Sequence, residues 1–146
     1  MSVVKYDYLP AFETNLKTGE VFVVYRPYVP LILCMNHKVK KDEIACLLDS
    51  GADRNIFPAA MAESLGVDIT KGKKVLHYGI GKGGLIAYAH KVKLYLGNYG
   101  IDTEVDFSID HDFPLVGRQE FFRFFKRVSI LEKGKFGIDG YTELEH

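Results

Sequence analysis

No stretch of this chain approaches the ~20 consecutive apolar residues that a membrane-spanning helix needs. No basic segment leads into an apolar core at its N-terminus either. The sequence alone therefore predicts no membrane association and no secretory leader, and a cytoplasmic, reducing compartment is the expectation. Cysteine is scarce: Cys34 and Cys46 are the only two, with neither a CxxC nor a Cys/His cluster at zinc-ligand spacing. Both lie in apolar stretches, where small buried thiols are the ordinary reading. A disulfide between them stays open, since strands flanking a hairpin bring such positions close. An excess of one charge is also missing. Nineteen basic residues balance nineteen acidic ones, so no overall field draws the protein to nucleic acid or an anionic membrane. Lys71, Lys73 and Lys74 form the best local basic cluster and read as a solvated loop. The sequence implies no metal and no cofactor.

What is present fits one folded domain. The 146 residues are 47% hydrophobic and 13% aromatic, enough to bury about two-thirds of the unfolded surface. Residues 1–20, with Pro10 and a turn-like Lys17-Thr18-Gly19-Glu20, read as an N-terminal arm. Residues 21–138 read as the main domain and 139–146 as a tail, whose Leu144-Glu145-His146 looks like the start of a purification tag.

Short β-branched and aromatic runs dominate. Residues 21–25 and 28–35 read as strands interrupted by Pro27 and Pro30, a pattern of edges or bends. A polar turn at 36–42 follows, and 44–48 returns as a buried strand that delivers Asp49 to its end. Pro58 and Gly66 bracket a predicted short helix in which Met61 and Leu65 face the core. After a strand at 75–78 and a glycine-rich loop, Ile86, Tyr88, Val92, Leu94 and Leu96 alternate with period two. Beyond the turn at 97–100, Ile101, Thr103, Val105, Phe107 and Ile109 form one face of a return strand. Asp102, Glu104 and Asp106 form its wet face, opposite Lys91 and Lys93. Residues 118–125 are predicted as a second helix with Phe121, Phe122 and Phe125 on one side. Residues 128–131 are predicted as a closing strand. The fold class is mostly β.

Two motifs compete for function. Gly79-Ile80-Gly81-Lys82-Gly83-Gly84 satisfies GxGxxG, but that fingerprint binds a pyrophosphate only where a strand turns into a helix. The period of two beyond Gly84 predicts a strand, which makes nucleotide binding a remote alternative. Ser50 does not sit in a GxSxG elbow, because Leu48 occupies the first glycine position. His37, His77, His90 and His111 have no supporting motif.

Asp49-Ser50-Gly51 is the second motif. Two carboxylates sharing one proton can drive water onto a peptide bond, one as base and one as acid. Such a site needs two Asp-Ser/Thr-Gly turns, and this chain has one. Asp139-Gly140 lacks the hydroxyl residue, and Asp110-His111-Asp112 lacks the glycine. Aspartic chemistry here requires a second copy of the chain.

Four elements in order resemble the retropepsins, the retroviral-type aspartic proteases and their cellular relatives, between Arg26 and Leu131. They are Arg26-Pro27-Tyr28-Val29 with the following hairpin, Leu47-Leu48-Asp49-Ser50-Gly51-Ala52-Asp53, the 79–84 glycine run, and Leu115-Val116-Gly117-Arg118. The resemblance implies a single-lobe closed β-barrel with a flap hairpin and one or two short helices. It implies a homodimeric aspartic endopeptidase, with Asp49 catalytic and Ser50 and Gly51 supporting the active-site loop. Ala52, Asp53 and the flap residues Gly79, Ile80, Gly81, Lys82, Gly83 and Gly84 would bind an extended peptide. Arg118 would form an ion pair with Asp53. Serine stands where viral members commonly carry threonine, which keeps the hydroxyl. A catalytically inactive peptide-binding or dimerisation module of the same fold is the alternative.

Overall fold

The computed structural model describes residues 2–78 and 83–146. Among them the chain begins with strands β1 (Val3–Asp7), β2 (Leu9–Thr14), β3 (Val21–Arg26), β4 (Tyr28–Met35) and β5 (Lys38–Val39). Then come β6 (Ile44–Leu48), β7 (Ile56–Pro58), a short helix α1 (Ala59–Glu63), β8 (Lys73–His77) and β9 (Leu85–Leu96). The last elements are β10 (Tyr99–Ser108), β11 (Leu115–Val116), β12 (Arg127–Leu131) and β13 (Tyr141–Glu145). The contacts divide into two units, one of residues 30–124 and one of residues 1–29 with 125–146.

The 30–124 unit is a closed barrel of six strands. Its order is β4-β6-β11-β7-β10-β9, and β9 pairs back onto β4, with β5 and β8 added on β4 and β9. Closure removes exposed edges that would otherwise template aggregation. Leu31, Leu33 and Met35 of β4 point inward with the period of two that a strand imposes, while the residues between them are half-buried. Phe57 and Phe107 meet edge to face with centroids 6.0 Å apart, both fully buried.

The β9–β10 hairpin forms in the expected register. Lys93 lies opposite Asp102, and their charges stand 3.6 Å apart at the surface. The faces differ from the sequence reading at the other end of the hairpin. Val92, Leu94 and Leu96 are buried, but Ile86 is exposed and Leu85 and Ala87 are buried instead. The register is unbroken from Tyr88 to Leu96, so no bulge causes this. Over twelve residues the strand twists, and at its start Leu85 packs on Ile56 and Leu115. Asp106, expected on the wet face, is 1% exposed. Both faces of β10 are covered there, and Ile109 lies exposed beyond its end.

Helix α1 is shorter than the predicted 59–66 segment. Pro58 caps it with extended ψ rather than joining its first turn, and Gly66 ends the segment at a left-handed φ of +74°. The helix expected at 118–125 is absent. Only a 3₁₀ turn, Phe122–Phe124, forms there. Phe121 N–H and Phe122 N–H both donate to Gly117 O, Arg123 N–H reaches back to Arg118 O and Phe124 N–H to Phe121 O, so the spacing shifts from residue to residue and no i→i−4 ladder propagates. Phe121 and Phe125 are buried all the same, and Phe122 is half-buried.

In the other unit, β13 pairs antiparallel with both β1 and β12, and β2 pairs with β3 as a two-stranded ribbon. Leu144 is fully buried, in register with Val4 and Val128. Tyr8 is buried under Gly140, where a Cβ would lie 2.5 Å from its ring. Burial, then the nearby Glu132 carboxylate, pushes the Tyr8 hydroxyl up to about 12.

Candidate active site

The strand β6 is an apolar run whose Ile44, Cys46 and Leu48 are buried, and it ends at Asp49. It lies parallel to β11, with Leu47 opposite Leu115 and Leu48 opposite Val116. The ladder carries on to the carboxylate: Leu47 N–H donates to Pro114 O and Asp49 N–H to Val116 O, both at 3.0 Å. Asp49 therefore has its backbone fixed by the barrel while its side chain is half-buried at the strand end.

The turn that follows is self-bracing. Gly51 N–H donates to Asp49 Oδ1 at 2.9 Å, and Ala52 N–H donates to Asp49 O at 3.2 Å. Ser50 and Gly51 are exposed, and among the described residues the Ser50 hydroxyl makes no hydrogen bond. This short side-chain-to-backbone bond is the mechanism by which Asp shapes a turn. Here it also aims one carboxylate oxygen back at its own loop.

A second loop clasps the first. Arg118 N–H donates to Ala52 O at 2.8 Å, and Gln119 N–H donates to Asp53 O at 2.9 Å. Gly117 permits this approach, because a Cβ there would stand 2.6 Å from Ala52 O and 2.7 Å from Arg54 O. Among the described residues no ion pair joins Asp53 to Arg118. The link between these segments runs through backbone, which places the two side chains outside it.

The ion pairing falls instead to Arg54. Its guanidinium grips Asp106 with two bonds, Nε to Oδ2 at 3.0 Å and Nη2 to Oδ1 at 2.6 Å. It also reaches Glu104 Oε1 at 3.1 Å and Glu120 Oε1 at 3.3 Å. The Asp106 bonds foremost hold the guanidinium above its ordinary pKa, against the opposing effect of burial. Beside it Asn55 is fully buried, accepting from Gly117 N–H and donating to Glu104 O and Glu120 O. Arg54 and Asn55 follow directly on the Asp-Ser-Gly-Ala-Asp run. Their adjacency to that motif was the only signal in the sequence of what they hold.

Of the glycine run, Gly79, Ile80, Gly81 and Lys82 lie outside the described residues. Gly83 and Gly84 take φ of +86° and +80°, and a Cβ on Gly84 would stand 2.8 Å from His77 O. Beyond them comes the twelve-residue strand β9, paired to β8 from His77↔Leu85 onward. Without a helix there, no N-terminal amide cluster awaits a pyrophosphate, which removes the basis of the nucleotide reading. Both cysteines are free thiols, and burial pushes the Cys46 thiol well up.

A scan against protein-family models finds no match, and a search of curated proteins finds none either. The fold does have counterparts among solved structures. A retropepsin-like aspartic protease from Rickettsia conorii superposes with a TM-score of 0.57 over 98% of this chain and 91% of that chain, at 18% identity. The fold is retropepsin-like. The EIAV protease complexed with the inhibitor HBY-793 is 22% identical over 64% of this chain and 82% of that chain, with a TM-score of 0.47. The Asp49 turn lies beside the Leu115-Val116-Gly117 segment, and the barrel is closed and mostly β as the resemblance implied for the fold.

Proposed function

We propose that this protein is a homodimeric aspartic endopeptidase whose catalytic carboxylate is Asp49. The observation that carries this reading is the clasped turn. Asp49 is held by its N–H on Val116 O across the β6–β11 pair and by Ala52 N–H on its own O, while Ser50 and Gly51 stand exposed beside it. One chain supplies one such carboxylate, so the partner copy supplies the other on a two-fold axis. Two carboxylates a few ångströms apart share one proton. The ionised one takes a proton from water as it attacks the scissile carbonyl, and the protonated one gives its proton to the carbonyl oxygen. Collapse of the tetrahedral species then returns a proton to the leaving amine, and the dyad is regenerated.

The exposed Ser50 hydroxyl suits a bond across the axis to the partner loop. An extended peptide would lie against Ala52 and Asp53, held by main-chain bonds, with alternate side chains in pockets.

A peptide-library cleavage assay from acidic to neutral pH tests the reading, with Asp49→Asn as control. Cleavage by the native chain and none by the variant supports it. Tight peptide binding without turnover at any pH would replace it with the inactive binding module.

A further inference from the structure

One buried carboxylate joins two segments that the active-site reading treats separately. Asp106 is 1% exposed, and its Oδ2 accepts both Arg54 Nε at 3.0 Å and His77 Nε2 at 2.7 Å. Its Oδ1 takes Arg54 Nη2 at 2.6 Å. An ionised carboxylate only accepts, so the proton in the His77 contact sits on Nε2. Arg54 closes the loop that begins at Asp49. His77 is the last residue of β8 and pairs with Leu85 across the hairpin that leads into residues 79–82.

We propose that Asp106 is a positioning residue that couples the root of the β8–β9 hairpin to the active-site loop through a His77–Asp106–Arg54 relay. Its consequence for catalysis rests on the aspartic-protease reading, whereas the coupling belongs to the fold itself. Two features make the relay stiff. A buried charge that loses a partner is costly, so Asp106 has few alternative positions. The shared Oδ2 also makes the two bonds interdependent: withdrawing the imidazole changes how the carboxylate sits against the guanidinium. Glu104 and Glu120 compete for the same guanidinium, so a loosened Asp106 gives Arg54 somewhere else to go. The hairpin root and residues 52–55 then move together rather than separately.

The test starts from His77, because removing its side chain leaves both Arg54–Asp106 bonds in place. His77→Ala removes the donor, and His77→Gln keeps an N–H that can reach the carboxylate. Amide hydrogen exchange on the full chain, without substrate, is the first readout. The relay predicts about tenfold faster exchange at residues 52–55 in His77→Ala, the scale of one lost charged hydrogen bond, and near-native exchange in His77→Gln. Unfolding of His77→Ala, Arg54→Lys and the double variant should be non-additive. With a cleavable peptide, His77→Ala should raise KM several-fold while kcat falls less.

Faster exchange confined to the hairpin root, with residues 52–55 unchanged, overturns the relay. So does a Gln variant no better than Ala, or an additive cycle. A native chain that cleaves nothing but shows the exchange coupling leaves the relay standing and removes only the protease reading.

Discussion

The backbone N–H of Gly117 donates to Asn55 Oδ1 at 3.0 Å, across 62 residues of sequence. The same fully buried amide donates through Nδ2 to Glu104 O and Glu120 O, each at 3.0 Å. One side chain therefore ties the loop after Asp49 to β10 and to the segment after β11. Asn55→Ala should strand three backbone groups, and unsatisfied buried groups cost about 1–3 kcal/mol each before relaxation. A net loss of about 3 kcal/mol in urea unfolding is expected. Asn55→Asp should lose at least as much at neutral pH, since a carboxylate would face two carbonyl oxygens. A change under 1 kcal/mol in both variants would mean the three contacts do not hold the loop.

Arg54→Lys keeps the charge but loses the planar fork that matches both Asp106 oxygens. Hydrogen bonds to charged groups contribute about 1.5–3 kcal/mol. Arg54 is 30% exposed at its side chain, which favours the lower half of that range. Denaturant unfolding should show a loss of about 1.5–2 kcal/mol at unchanged slope. Arg54→Met should lose more, because it leaves Asp106 charged and buried with His77 alone. Equal losses in the two variants would show that fork geometry contributes nothing.

The contrast between what was legible and what was not follows from sequence distance. Asp49-Ser50-Gly51 is a local pattern at the end of an apolar run, and its turn can be read from adjacent residues. The β9–β10 register is also local: two alternating runs joined by a short turn place Lys93 opposite Asp102. Asp106 looked like the third acid of a wet face because alternation tells which residues share a face, not whether another segment later covers it. Arg54 lies 52 residues away from it, and His77 lies 29 away. No window-based pattern sees such pairs. The helix expected at 118–125 gives way to bonds of mixed spacing, with Phe122 N–H on Gly117 O and Arg123 N–H on Arg118 O, which the local spacing of the phenylalanines does not reveal.

His111 supplies a pH dependence. It is 9% exposed, its ring is tilted 42° against that of Phe113 with centroids 4.6 Å apart, and its Nε2 has no partner among the described residues. Burial lowers its pKa below the ordinary value and the neighbouring His77 adds to this, against the opposing Phe113 backbone bond and the Asp112 charge. The unfolded chain therefore binds a proton at His111 more readily than the folded one. Stability should be fully present above pH ~6.5 and decline as pH falls through the depressed native pKa. His111→Phe should flatten that part of the stability–pH curve in urea titrations from pH 7.5 to 5. An unchanged slope would assign the dependence to other groups.

Assembly is the next expectation. With one Asp-Ser-Gly turn per chain, peptide cleavage should rise more steeply than linearly with protein concentration below the dimer dissociation constant. Sedimentation velocity over the same range should track it. A strict monomer that remains fully active at high micromolar concentration would sink the half-site argument.

Asp49→Asn addresses the chemistry directly. It keeps the size of the side chain and an oxygen that can still accept the Gly51 N–H, while removing the charge and the capacity to exchange a proton. Fold and dimer should survive, and relief of carboxylate repulsion across the axis should if anything tighten the dimer. General acid–base assistance is worth 10²–10⁴-fold, roughly 3–5 kcal/mol, and hydrolysis should fall by at least that factor. On the aspartic-protease proposal, cleavage by the native chain should show a bell-shaped pH profile whose two apparent pKa values belong to the pair of carboxylates. Ser50→Ala should behave differently, weakening dimerisation while leaving both carboxylates in place, so its activity should recover at high protein concentration. If Asp49→Asn cleaves as fast as the native chain while Ser50→Ala is dead at every concentration, the carboxylate mechanism is wrong and the hydroxyl is the nucleophile.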